Sequence, residues 1–136
     1  MRTIKILILE DNLKTLSLIM AKLSILEEKI EADKYDIAVT TFSEYYHVER
    51  FVNKCSPDDF DIILLDRDCK MGGSFHALDF EKFGVGKIIS ISTIPEYNEE
   101  ARKRGVSRVV WKDHDNLDDF AEKLLPLINQ LITNLN

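Results

Sequence analysis

The stretch Phe60–Asp66, FDIILLD, constrains the fold of this chain more than any other. Apart from Asp61 it is apolar without interruption until it ends on Asp66. An apolar run that does not alternate suits a strand covered on both faces, the central strand of a parallel sheet packed between helices. Pro57-Asp58-Asp59 breaks the chain just before it, and Gly72-Gly73 beyond it permit a turn that other residues resist.

The rest of the sequence repeats this pattern, with short strand-like runs alternating with longer stretches of helical periodicity and no internal repeat or low-complexity linker. Ile4–Leu9 reads as the first strand. Leu13, Leu16, Met20, Leu23 and Ile30 then recur at helical spacing behind Asp11 and Asn12, two candidate N-caps. Asp33-Lys34 marks a turn, Ile37–Phe42 a β-branched second strand, and Ser43 the start of a second helix carrying Val48, Phe51 and Val52. Ile62–Leu65 is the third strand, followed by a weak helix around Leu78 and Phe80. Lys87–Ser92 is the fourth strand, Glu96–Arg104 a helix stopped by Gly105, Ser107–Trp111 the fifth strand, and Leu117–Leu135 a final amphipathic helix. Five βα units with right-handed crossovers predict an α/β, flavodoxin-like doubly wound (βα)5 three-layer sandwich around a five-stranded parallel sheet.

Length and charge narrow the function. The 136 residues suit one domain with an ordinary core, residues 1–136. With 18 Lys and Arg against 24 Asp and Glu, the formal net charge of −6 argues against a broad grip on nucleic-acid phosphates and for a protein partner. The run Ile4–Leu9 is too short for a signal peptide or a membrane span. Cys55 and Cys69 show no CxxC spacing and read as reduced thiols, which points to the cytoplasm. His47, His76 and His114 have no ligand spacing, and no phosphate-cradling glycine loop follows the first strand.

In an open parallel sheet, residues distant in sequence meet at the carboxyl ends of the strands, where ligands bind. Glu10 and Asp11 follow the first strand, Asp66 the third and Lys112 the fifth. Carboxylates gathered this way repel one another unless a divalent cation or a shared proton relieves the charge, and hard oxygen ligands favour magnesium. The pattern predicts a Mg2+-dependent phosphoryl site. A carboxylate nucleophile accepts a phosphoryl group as an acyl phosphate once the charge of that group is neutralised, and Asp66 suits that role.

These residues resemble the receiver domain of two-component response regulators. Ile6-Leu7-Ile8-Leu9-Glu10-Asp11-Asn12 is similar to its first strand and acidic pair, and Asp-Ile-Ile-Leu-Leu-Asp at 61–66 to its phosphoacceptor strand. Ile89-Ser90-Ile91-Ser92 is similar to the strand bearing its hydroxyl, and residues 105–112 to the approach to its lysine. The resemblance runs nearly end to end and implies a stand-alone receiver without an output domain, phosphorylated on Asp66 by a histidine kinase or phosphotransfer protein. It further implies Mg2+ held by Glu10, Asp11, Asp66 and the backbone carbonyl of Asp68. Lys112 and Ser92 would contact phosphoryl oxygens, with Thr93 the competing hydroxyl if the register differs by one. A downstream protein target follows from the absence of an output domain, and the basic cluster Arg102, Lys103 and Arg104 is either a partner or homodimer face or a solvated helix end.

The chain departs from the family pattern at several points, among them a longer stretch between Asp11 and Asp66. Asp113 follows Lys112 where proline is usual, so a trans peptide and some displacement of the lysine are expected, because a non-proline cis bond costs roughly 2.5–4 kcal/mol. Val109 replaces the usual aromatic, and the loop after Asp66 carries Asp68 and no Met-Pro step. Two other readings follow: a pseudo-receiver that binds partners without phosphorylation, and a hydrolase resembling haloacid dehalogenases with Asp66 as nucleophile and Asp68 as acid/base.

Overall fold

A computed structural model describes residues 2–30, 34–67 and 72–135. Five strands, β1 (Arg2–Leu9), β2 (Tyr35–Phe42), β3 (Ile62–Leu65), β4 (Ile88–Ser92) and β5 (Arg108–Trp111), form one sheet in the order β2-β1-β3-β4-β5, every pair parallel. This is the doubly wound arrangement the alternation of runs predicts. β3 is central, and all four of its residues are buried, as an apolar run without alternation requires.

Alternation along β1 divides the core in two. Ile4, Ile6 and Ile8 join Ile62, Leu64, Ile89 and Ile91 under helices α1 (Leu13–Lys29) and α5 (Leu117–Thr133), which contribute Ile19, Leu23, Phe120, Leu124 and Ile128. On the opposite face Leu7, Leu9, Ile63, Leu65 and Ile88 pack against Val48 of α2 (Tyr46–Arg50), Phe80 and Phe83 of α3 (Phe80–Phe83) and Ala101 of α4 (Pro95–Lys103). Helices therefore cover both faces, and the C-terminal edge of the sheet is left for a site.

Two helices of the second face, α2 and α3, are shorter than expected. The segment expected to be helical from Ser43 holds only the five-residue α2 and then a 3-10 turn, Val52–Lys54. Asn53 explains the break, since its side chain donates to the Ala77 carbonyl at 2.9 Å and accepts from the Asp79 amide at 2.9 Å. Those bonds tie the chain to the α3 region before another helical turn can form. The weak helix near Leu78 and Phe80 is a 3-10 turn, Phe75–Ala77, and the single turn α3, ended by Gly84 at φ +89°. α4 stops at Gly105, φ +104°, where the sequence places its end. α1 is capped by Asn12, whose Oδ1 accepts from the amide and hydroxyl of Thr15 at 2.8 and 2.9 Å, so the cap does not use the neighbouring Asp11 carboxylate.

Candidate functional site

Parallel pairing continues past the ends of β1 and β3: the Asp66 amide donates to the Leu9 carbonyl at 3.0 Å. Asp66 thereby sits beside Glu10 and Asp11. Carboxylate oxygens of these three residues lie within 4.8 Å of one another, and among the described residues they are the one such cluster of side chains able to hold a metal ion. Lys112 enters from the end of β5. Its Nζ is 2.7 Å from Glu10 Oε1 and 3.4 Å from Asp66 Oδ2.

Burial gives the cluster its electrostatic character. Glu10 is fully buried, Asp66 and Lys112 nearly so, and Asp11 partly exposed. Glu10 is fully engaged, with Oε2 accepting the amides of Asp11 and Asn12 at 2.9 and 3.0 Å and Oε1 accepting Lys112. Loss of solvent first, and then the Glu10 charge, raise the Asp66 carboxyl to about 7 against the opposing pull of Lys112. For Lys112 burial alone favours the neutral amine, but Asp66 and Glu10 together outweigh it and hold its pKa above the ordinary value. Without further positive charge, then, Asp66 resists ionisation, and a hard divalent cation among three carboxylates would relieve that resistance. The donor set fits such an ion.

Ser92 ends β4, and its backbone carbonyl accepts the Lys112 amide at 2.7 Å. Its hydroxyl is buried and accepts the Ile94 amide at 3.1 Å. Thr93 is half-buried, and its carbonyl accepts the indole N–H of Trp111 at 3.0 Å. That indole is largely exposed.

No protein-family model and no curated protein matches the sequence. Solved structures are similar. The Mn(2+)-bound form of response regulator Rcp1 aligns with a TM-score of 0.65 over 90% of this chain and 90% of its own, at 16% identity. A response regulator receiver domain from Rhodospirillum rubrum aligns at 0.59 over 93% and 94%, with 15% identity. This chain has the receiver fold. The bacteriophytochrome response regulator AtBRR agrees, at 0.55 over 93% and 95% with 18% identity.

Within this receiver fold the structure brings Glu10, Asp11, Asp66 and Lys112 together, as their strand-end positions predict. Ser92 is joined to the cluster through the backbone of Lys112, and Asp68 and Cys69 lie outside the described residues. The peptide bonds described are all trans, as expected at Lys112–Asp113, and the Lys112 ammonium reaches the pocket. Val109 is half-buried against the α2–α4 side of the core. Cys55 is a free thiol. Among the described residues no helix is long and apolar enough to cross a membrane.

Of the basic cluster, Arg104 is exposed but lies across α3. Its guanidinium carbon lies 3.5 Å from the Phe80 ring centroid and its nitrogens donate to the carbonyls of His76 and Leu78, while Arg102 pairs with Glu99. Two arrangements escape the sequence pattern. Ser90 Oγ donates at 2.8 Å to Oδ1 of the buried Asn98, whose Nδ2 donates at 3.0 Å to the Val110 carbonyl, so α4 is tied to β4 and β5 at once. Arg67 crosses to the outer face of α4 and meets Tyr97 and Glu100. A polar residue in a short amphipathic helix marks Asn98 only weakly, and nothing in the pattern marks Arg67 except its place after Asp66.

Proposed function

We propose that this chain is a phosphoacceptor signalling domain in which Asp66 takes a phosphoryl group from a phosphohistidine of a histidine kinase or phosphotransfer protein in the cytoplasm. The observation that carries this reading is the position of the Asp66 carboxylate, at the end of the central strand between two further carboxylates and a buried lysine. The receiver fold of response regulators supports it. In the reaction an Asp66 carboxylate oxygen bonds to phosphorus as the phosphorus–nitrogen bond of the donor breaks, and the departing imidazole keeps the electron pair and takes up a proton.

Glu10, Asp11 and Asp66 would hold Mg2+, with the Asp68 carbonyl as a further ligand. The ion would supply charge neutralisation for the transferring group. Lys112 would exchange part of its contact with Glu10 for a phosphoryl oxygen, and Ser92 would donate its hydroxyl proton to another. A phosphoryl group shifts the protein between states only by interacting better with one of them, and these two residues would provide that difference. The output would be a changed surface read by a protein partner.

Incubation with acetyl phosphate and Mg2+, followed by intact mass, tests the proposal. The expected result is one added phosphoryl group, absent without Mg2+ and absent in Asp66→Asn. A protein that takes up no phosphoryl group under these conditions contradicts it. Turnover of a phosphate monoester lost in Asp68→Ala, with phosphoacceptance retained, would indicate the hydrolase chemistry instead.

A further inference from the structure

Arg67 is the residue next to Asp66, and its side chain bridges to a different element. The guanidinium carbon stands 3.8 Å from the Tyr97 ring centroid, and Nε donates to Glu100 Oε2 at 3.1 Å. Tyr97 and Glu100 are three residues apart and so share one face of α4. The clamp therefore spans from the residue after Asp66 to the first two turns of that helix.

Apolar packing holds α4 only lightly. Of its nine residues only Asn98 and Ala101 are buried, one polar and one small. A helix that buries so little apolar surface depends on polar links for its position and opens at low cost. The Arg67–Glu100 pair is one such link, but half of the Glu100 side chain is exposed, so solvent screens it. A guanidinium binds a phosphoryl group through paired N–H donors and does so more strongly than it binds a single screened carboxylate. A phosphoryl group on Asp66 would place that competitor one residue along the chain from the long side chain of Arg67.

We propose that Arg67 is a positioning residue that couples the state of Asp66 to helix α4: at rest it clamps Tyr97 and Glu100, and phosphorylation of Asp66 draws it off and loosens the N-terminal half of α4. This rests on Asp66 being the phosphoacceptor.

Hydrogen exchange of the peptide spanning residues 95–103, measured with and without beryllofluoride plus Mg2+, tests the coupling, with acetyl phosphate uptake measured in parallel by intact mass. In the unsubstituted protein exchange should rise several-fold with beryllofluoride. Arg67→Ala should show that faster exchange already at rest, gain little more with beryllofluoride, and still take up the phosphoryl group. Arg67→Lys should fall between, because an ammonium keeps the charge but not the flat stacking surface. Tyr97→Leu with Glu100→Gln removes the clamp from the helix side, should reproduce Arg67→Ala, and keeps the test valid if the arginine variant does not fold.

The proposal is overturned if these variants take up the phosphoryl group and their exchange rises with beryllofluoride from the same baseline and to the same extent as in the unsubstituted protein. It is also overturned if the baseline rises but the beryllofluoride response persists in full, since Arg67 is then a brace without a switching role. An unsubstituted protein that neither gains mass nor responds to beryllofluoride overturns the phosphoacceptor reading itself, and the coupling with it.

Discussion

The main-chain amide of Lys112 donates to the carbonyl of Ser92 at 2.7 Å, so the two residues proposed to hold phosphoryl oxygens are fixed to each other through the sheet. Their side chains differ at rest. Lys112 is committed to Glu10, whereas the Ser92 hydroxyl accepts from Ile94 and keeps its own proton to donate. Ser92→Ala should therefore leave phosphoryl uptake largely intact but reduce the beryllofluoride response of Trp111, the one tryptophan of the chain. Thr93→Ala should change neither, because the indole is bound by the Thr93 carbonyl and not by its hydroxyl. Fluorescence titration of both variants checks this, and a larger loss in Thr93→Ala would exchange the two roles.

Asp66 makes metal-free stability depend on pH in a direction opposite to the usual carboxylate. Unfolded, the group titrates near 3.8; folded, burial and then Glu10 raise it to about 7. The native protein holds a proton that the unfolded chain has lost between those values, so this contribution is fully present below 3.8 and disappears as pH rises through about 7. Asp66→Asn should abolish that slope and be more stable than the unsubstituted protein at about pH 8, by on the order of 1–3 kcal/mol. Urea unfolding in a chelator at several pH values measures both effects.

Divalent cations should reverse the penalty. Binding to the native carboxylate cluster alone stabilises by about 2.7 kcal/mol at a hundredfold excess over Kd. Mg2+ or Mn2+ should raise Tm, a chelator should restore the lower value, and Asp11→Asn should weaken the effect by removing a ligand oxygen. Thermal melts over a metal titration check this, and equal metal responses in Asp11→Asn and the unsubstituted protein would remove Asp11 from the site.

Asn98 and Ser90 form a buried pair whose partners are fully specified. Asn98→Ala leaves the Ser90 hydroxyl without its partner and should cost about 1–3 kcal/mol, the penalty of an unsatisfied buried polar group. Ser90→Ala combined with it should cost clearly less than the sum of the two single changes. Chemical denaturation of the three variants gives the coupling directly.

How legible each element was depends on where its determinants lie. β1, β3 and β4 announce themselves as apolar runs because both faces of each are covered, and parallel pairing, extended to β5, then brings Glu10, Asp66 and Lys112 together at the strand ends. The presence of α2 and α3 was legible, but their short extents were not. The Ser43 segment carries helix-compatible Val48, Phe51 and Val52, but the bonds of Asn53 to Ala77 and Asp79 end the helix, and those partners lie far along the chain. Arg67 is hidden for the same reason, since its partners Tyr97 and Glu100 come near only through the packing of α4. Asn12 and Asp11 stood as equal candidate caps until the backbone geometry assigned the cap to Asn12.

The most direct test of the central claim is to locate the phosphoryl group. After incubation with acetyl phosphate and Mg2+, borohydride reduction converts an aspartyl phosphate to homoserine, which peptide mass mapping assigns to a position. The account predicts homoserine at position 66 and none in Asp66→Asn. Conversion at another residue, or none at all in a folded protein that binds Mg2+, would contradict it.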